Sequence, residues 1–280
     1  MRARIMDAES ATALPLLIDA EALHALIGQK DLLLVDMTAP EQYRCGHLPG
    51  AVHLDYVDIT SERPPAAGLL PETASFNRRM RGLGLRRGRH LVAYDEMGGL
   101  KACRLLWTLH VFGFDSVSLL NGGLEAWQAA GLPLQTGYVH PSASEIELEY
   151  LGAGVRTAEE IRDRIGRDDV VILDARTAGE YVGHDVRATR GGHVPGAVHF
   201  EWSRALDPLS HQRFRSASML RDELAAAGIT PDKEVIAYCQ THRRSCVSWF
   251  TLRMLGFDQV YGYPGAWSDW GNRSDLPVEP

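Results

Sequence analysis

The sequence predicts an α/β protein built from two homologous domains, each a mostly parallel sheet flanked by helices. Three observations carry this. Short apolar, β-leaning runs alternate with stretches of helical spacing along the 280 residues, the pattern of sheets covered on both faces. The octet Gly46-His47-Leu48-Pro49-Gly50-Ala51-Val52-His53 returns as Gly192-His193-Val194-Pro195-Gly196-Ala197-Val198-His199 with one Leu/Val change, for which an internal duplication is the economical explanation. The correspondence also extends through later segments, in the same order.

In the first copy, Ala20–Ile27 has helical spacing and 32–35 reads as a buried strand ending at Asp36, followed by Tyr43 and the octet. In the second, 170–173 ends at Asp174 and leads through Glu180-Tyr181 to the repeat. Unbroken apolar runs of this length suit parallel strands buried on both faces. Further on, 91–94 followed by Asp95 parallels 235–238 followed by Cys239. Phe112-Gly113-Phe114-Asp115 parallels Leu255-Gly256-Phe257-Asp258, and Asn121–Trp127 parallels Tyr263–Trp267. Between the copies, Pro, Ser and Gly surround the alternating Glu145–Glu149 stretch, which reads as a linker with room for an edge strand. The expected division is a first domain over 1–140, a linker over 141–154 and a second domain over 155–280.

Composition narrows the function. With 45% hydrophobic and 23% charged residues, the chain suits a globular protein with a substantial core. A net charge of −7 and scattered arginines argue against a nucleic-acid surface. No apolar run is long enough to span a membrane, and Met1–Ile5 is followed by Asp7 and Glu9 rather than by an apolar leader core. Four cysteines without a CxxC pair or zinc-type spacing make a disulfide framework or structural metal improbable. A monomeric cytoplasmic protein, without nucleic-acid or membrane partners and without a metal, is expected.

The chemistry concentrates after the strand 235–238, at Cys239-Gln240-Thr241-His242-Arg243-Arg244. A cysteine at the C-terminal end of a parallel strand sits where open α/β sheets bind ligands. A loop running into a helix near Ser245 can turn successive amides toward the sulfur, and cationic neighbours stabilise a thiolate. A lone cysteine is usually a buried structural thiol; this setting makes Cys239 the candidate nucleophile and Gln240, Thr241, His242, Arg243 and Arg244 its binding loop. Arg244 is favoured over Arg243 for the site, since neighbouring side chains on a tight loop point apart. His242 is expected to add positive charge, facing solvent or substrate, rather than to act as a base.

Cys246, two helical turns on, reads as packing, with a resolving thiol as the sharper option. Asp174, His193 and Trp267 have counterparts in the copy that lacks the cysteine, so they read as structural residues near the site. Between strand-end Asp and octet His the second copy has eight more residues than the first. With Arg176 and Glu180, the Arg187 and Arg190 of this insertion form a possible substrate rim. The first copy, with Asp95-Glu96-Met97-Gly98-Gly99 in place of the cysteine loop, is expected to be inactive and unwelcoming to an anion.

Together these motifs resemble the tandem-domain rhodaneses of bacterial type, over nearly the whole chain. The motifs are Gly192–Val198 after Asp174-Ala175-Arg176, the Cys239–Arg244 loop, Gly265–Gly271 and Asn121-Gly122-Gly123. The resemblance implies two rhodanese-like domains and a thiosulfate sulfurtransferase. Cys239 would take the sulfane sulfur, release sulfite, and pass it from a persulfide to cyanide or another thiophilic acceptor, with no cofactor. Four residues separate Cys239 from Arg244, one fewer than in related phosphatases. The charged loop resembles the thiosulfate type more than 3-mercaptopyruvate sulfurtransferases, which are the alternative. A non-turnover persulfide carrier that delivers sulfur to a partner protein is a third reading. Glu180 departs from the arginine that the animal enzymes carry in the substrate pocket.

Overall fold

A computed structural model describes residues 14–280; the N-terminal stretch Met1–Ile5, weighed above as a leader, lies outside them. The first copy runs β1 (Leu17–Ile18), α1 (Ala20–His24), β2 (Leu32–Asp36), α2 (Pro40–Cys45), β3 (Val52–His53), a hairpin of β4 (Ser61–Arg63) and β5 (Ala66–Leu69), α3 (Thr73–Gly82), β6 (His90–Tyr94), α4 (Ala102–Val111), β7 (Val117–Leu120) and α5 (Gly123–Ala129). The second runs α6 (Ala158–Arg162), β8 (Val170–Asp174), α7 (Ala178–Tyr181), β9 (Val198–His199), a short hairpin of β10 (Leu206–Asp207) and β11 (Arg213–Phe214), α8 (Ala217–Ala226), β12 (Glu234–Tyr238), α9 (Arg244–Met254), β13 (Val260–Gly262) and α10 (Ala266–Trp270).

Both main sheets are parallel, with orders β1-β7-β6-β2-β3 and β13-β12-β8-β9. In the second sheet, the place of β1 shrinks to a single parallel bridge from Val155 to Gly262. All five residues of β2 and four of five in β12 are buried, as strands covered on both faces must be.

The repeated Asp and octet explain each other. Tyr94 Oη donates to Asp36 (2.5 Å) and accepts from the Leu48 amide; Tyr238 Oη does the same with Asp174 (2.5 Å) and the Val194 amide. Each strand-end carboxylate therefore anchors the neighbouring strand's tyrosine, which tethers the turn. The octet histidines stack on Tyr43 and Tyr181 and bond their carbonyls through Nδ1. Of His47 and His193, only His193 has a carboxylate within salt-bridge distance among the described residues, with Nε2 at 3.5 Å from Glu279.

The edge strand expected over 145–149 does not form. Asn77 instead clamps the Leu148 peptide through both amide atoms (2.9 and 2.8 Å), Arg81 binds the Ile146 carbonyl, and Ile146 and Leu148 are buried. The segment is a strap held by α3 side chains. The helices that follow the two equivalent loops, α4 and α9, pack against each other. Trp107, Cys103, Cys246 and Phe250 thus join one apolar core running through both domains. Among the described residues no helix is long and apolar enough to cross a membrane.

Candidate active site

Cys239 stands at the end of β12 and is 1% exposed. The chain then turns sharply: His242 takes a positive φ of 51° while Arg243 is right-handed, a pairing that gathers successive amides into an anion-binding concavity. The amides of Trp267 and Ser268, at the start of α10, hold the Cys239 and Gln240 carbonyls at 2.9 and 3.0 Å. The start of the loop is thereby fixed.

Burial pushes the Cys239 thiol up. The Arg244 charge, the Ser245 hydroxyl and the amides of Ser245 and Thr241 outweigh it and hold the thiol below its ordinary value, so this buried sulfur is biased toward thiolate. Cys246 goes the other way: burial drives its thiol far up, and its Sγ bonds the His242 carbonyl at 3.0 Å. It lies in the core, in keeping with the packing reading.

Arg244 lies between the sulfur and Glu180, whose carboxylate it binds bidentately at 2.6 and 2.8 Å. Burial alone would raise Glu180, but Arg244 and the Thr177 amide and hydroxyl bring it down to about 2. Arg187, 61% exposed, approaches the same carboxylate at 3.4 Å, and its carbonyl receives Gln240 Nε2. Glu180 is therefore a buried clasp rather than a rim residue, and Arg187 alone of the insertion's arginines faces the site.

Three expectations need correction. His242 neither faces solvent nor adds charge: it is fully buried, Nδ1 lies 2.8 Å from Ser245 Oγ, and Trp107 packs on its ring. Burial, with Arg104 nearby, holds its pKa well below the ordinary range, so the ring is neutral. With its proton on Nδ1 it leaves the Ser245 hydroxyl free to donate to Cys239. Arg176 is also not on the rim, being 1% exposed, bound to Asp174 and the Gly192 carbonyl and stacked on Trp267. Arg190 is spent on the carbonyls of Trp270, Arg273 and Leu276, which pins the insertion to the C-terminal segment. Trp267 Nε1 in turn donates to the Arg190 carbonyl.

Sequence reasoning missed what the first domain brings. Arg104 of α4, 0% exposed, donates to the Thr241 and His242 carbonyls of the loop and to Gly68 and Leu69 in the β4–β5 hairpin. Gly68 backs onto Thr241 so closely that a side chain would strike its carbonyl. Arg243 reaches over the Tyr56 ring at 5.6 Å. The available signal was a single arginine inside the mostly apolar helix 102–111, since arginine is almost never fully buried unless it is paired.

The first domain's own loop is a cradle already filled. Asp95 Oδ1 accepts from the amides of Met97 and Gly99, and Oδ2 from those of Lys101 and Ala102, at 2.6 to 2.9 Å. A loop whose amides are taken by its own side chain is unwelcoming to an external anion because its donors are occupied, in addition to the acidic residues it carries.

A family model described as "Rhodanese-like domain" matches residues 19–130 and again 157–273. The chain is 41% identical to the thiosulfate sulfurtransferase of Pseudomonas aeruginosa, covering 95% of this chain and 97% of that one. It is 32% identical to the 3-mercaptopyruvate sulfurtransferase of Escherichia coli K12, covering 88% and 87%. Among solved structures, the anaerobic ergothioneine biosynthesis enzyme from Chlorobium limicola superposes with a TM-score of 0.84 at 22% identity, over 94% of this chain and 70% of that one; at that identity the likeness concerns the fold.

Proposed function

The chain belongs to the rhodanese-like family, and from that premise we propose that it is a thiosulfate sulfurtransferase with Cys239 as its sulfur carrier. The observation that carries this reading is a buried thiol held toward thiolate by Arg244, Ser245 and the loop amides.

The Cys239 thiolate attacks the outer sulfur of thiosulfate. The new S–S bond forms as the old one breaks, and its electron pair leaves with sulfite. One negative charge remains, now on the outer persulfide sulfur. Sulfite needs no proton to depart, which suits a site whose histidine is buried and neutral. The loop amides face anionic sulfur both before and after transfer. A thiophile such as cyanide then takes the outer sulfur as thiocyanate and restores the thiolate. The sulfur travels on the protein itself, so the reading calls for no cofactor.

Donor choice follows from which cations are free. A 3-mercaptopyruvate donor would need a guanidinium for its carboxylate, but Arg244 is clasped by Glu180, while Arg176 and Arg190 are engaged inside the fold. Among the described residues, Arg187 is largely exposed beside the Glu180 carboxylate and Arg243 lies over the Tyr56 ring. This supports the compact thiosulfate dianion, which needs little beyond the amide cradle.

The division of labour is a catalytic second domain over 155–280 and a first domain over 1–140 silenced by Asp95. A monomer suits this reading, since the first domain of the same chain completes the site. Four unbridged cysteines support a reducing, cytoplasmic setting. Mass analysis of protein treated with thiosulfate should find one added sulfur on the peptide bearing Cys239. A folded protein that gains none would sink the proposal, and faster turnover of 3-mercaptopyruvate than of thiosulfate would replace the donor.

A further inference from the structure

Arg104 is a cation with no exposed surface, and among the described residues no carboxylate lies within salt-bridge distance of it. Burying a guanidinium is costly unless its donors are used and its charge is offset. Here both terminal nitrogens are used on backbone, while Nε has no partner among the described residues. Nη1 serves His242 at 3.0 Å and Thr241 at 3.5 Å; Nη2 serves Gly68 at 2.8 Å and Leu69 at 3.1 Å. The side chain also stacks on Trp107, which packs on His242. Two of its four acceptors are thus carbonyls in the middle of the Cys239 loop, held from another domain.

A peptide unit is planar and trans, so fixing a carbonyl fixes the amide on its far side. The Thr241 carbonyl is coupled to the His242 N–H, and the His242 carbonyl to the Arg243 N–H. By drawing both carbonyls to one face, Arg104 turns both amides to the other. It also locks the two peptide planes between the Thr241 and Ser245 amides that bond Cys239. We propose that Arg104 is a positioning residue for sulfur transfer, through which the catalytically silent domain sets the shape of the amide cradle around Cys239.

This gives the duplicated domain a task that its missing cysteine does not supply. The domain also brings the β4–β5 hairpin, where Gly68 lies against Thr241. The assignment rests on Cys239 being the sulfur carrier, but its test does not depend on turnover. The groups around the sulfur that could share in a titration are Arg244, Arg243 and Cys246 from the second domain, and Tyr56 and Arg104 from the first.

The experiment is the rate of Cys239 alkylation by iodoacetamide against pH, in the full chain without any sulfur donor, for wild type, R104K and R104M. Near-UV circular dichroism reports whether each variant is folded. A relaxed cradle should move the R104M midpoint upward by about one pH unit, a tenfold loss of thiolate at neutral pH. R104K, which keeps a charge but cannot reach four carbonyls, should lie between R104M and wild type. A folded variant of either kind with the wild-type midpoint overturns the proposal, as does unfolding of both, which would make Arg104 a packing residue only. Failure of wild-type protein to take up sulfur from thiosulfate would instead strike the carrier reading and leave the midpoints to be judged on their own.

Discussion

Glu180 grips Arg244 with both carboxylate oxygens, and Arg244 in turn faces Cys239. The charge of the site's nearest cation is therefore offset by a buried acid, and a thiosulfate dianion drawn to Arg244 must bind within range of the Glu180 carboxylate. E180Q should lower the KM for thiosulfate about three- to tenfold at low ionic strength, since one repelling charge is removed within a few ångströms. Steady-state kinetics at two salt concentrations would check this, and the gain should shrink at high salt.

The same pair makes stability depend on acid. The folded-state value of Glu180 is about 2, below its ordinary value, so its contribution is fully present above the unfolded value and fades as pH falls toward 2. Urea unfolding of wild type should lose on the order of 2 to 3 kcal/mol more than E180Q across that window. Parallel curves for the two proteins would contradict the assignment.

Ser245 links neutral His242 to the thiolate. S245A should raise the Cys239 midpoint by about one pH unit, so sulfur transfer falls more at pH 6 than at pH 9. The pH–rate profile of the variant is the measurement.

Cys246 should be inert. Its thiol is pushed far up and is fully buried, so in C239S the exposed Cys45 should take up label near neutral pH while Cys246 takes up none, and C246S should retain sulfur transfer. Mass analysis of alkylated C239S tests the first, and turnover of C246S the second.

D95A should leave four amides without their acceptor, two of them buried, costing about 2 to 3 kcal/mol while sulfur transfer is unchanged. Thermal unfolding beside a turnover assay separates the two effects.

Much of the fold was legible because duplication leaves marks that need no structure. Two copies of an octet, each placed after a strand ending in Asp, located both sheets, and Cys239 against Asp95 marked the half that carries the candidate nucleophile. The Glu145–Glu149 alternation misled as an edge strand because period-two patterning also fits an extended strap that buries Ile146 and Leu148 under α3. His242 misled because charge type was read without burial, and Arg190 because an insertion's arginines look alike until their acceptors are known.

By itself the sequence determined the two-domain α/β plan and singled out Cys239 with its cationic loop as the candidate nucleophile and Asp95 as its counterpart in the first copy, all of which depend on residue type and spacing along one chain. Tertiary structure alone decided how the loop is charged and held: Glu180 on Arg244 from 64 residues away, and Arg104 on the Thr241 and His242 carbonyls from another domain. The physical reason is that protonation and orientation depend on desolvation and on partners in space. The Arg104 carbonyl contacts, moreover, involve backbone atoms, which every residue type shares.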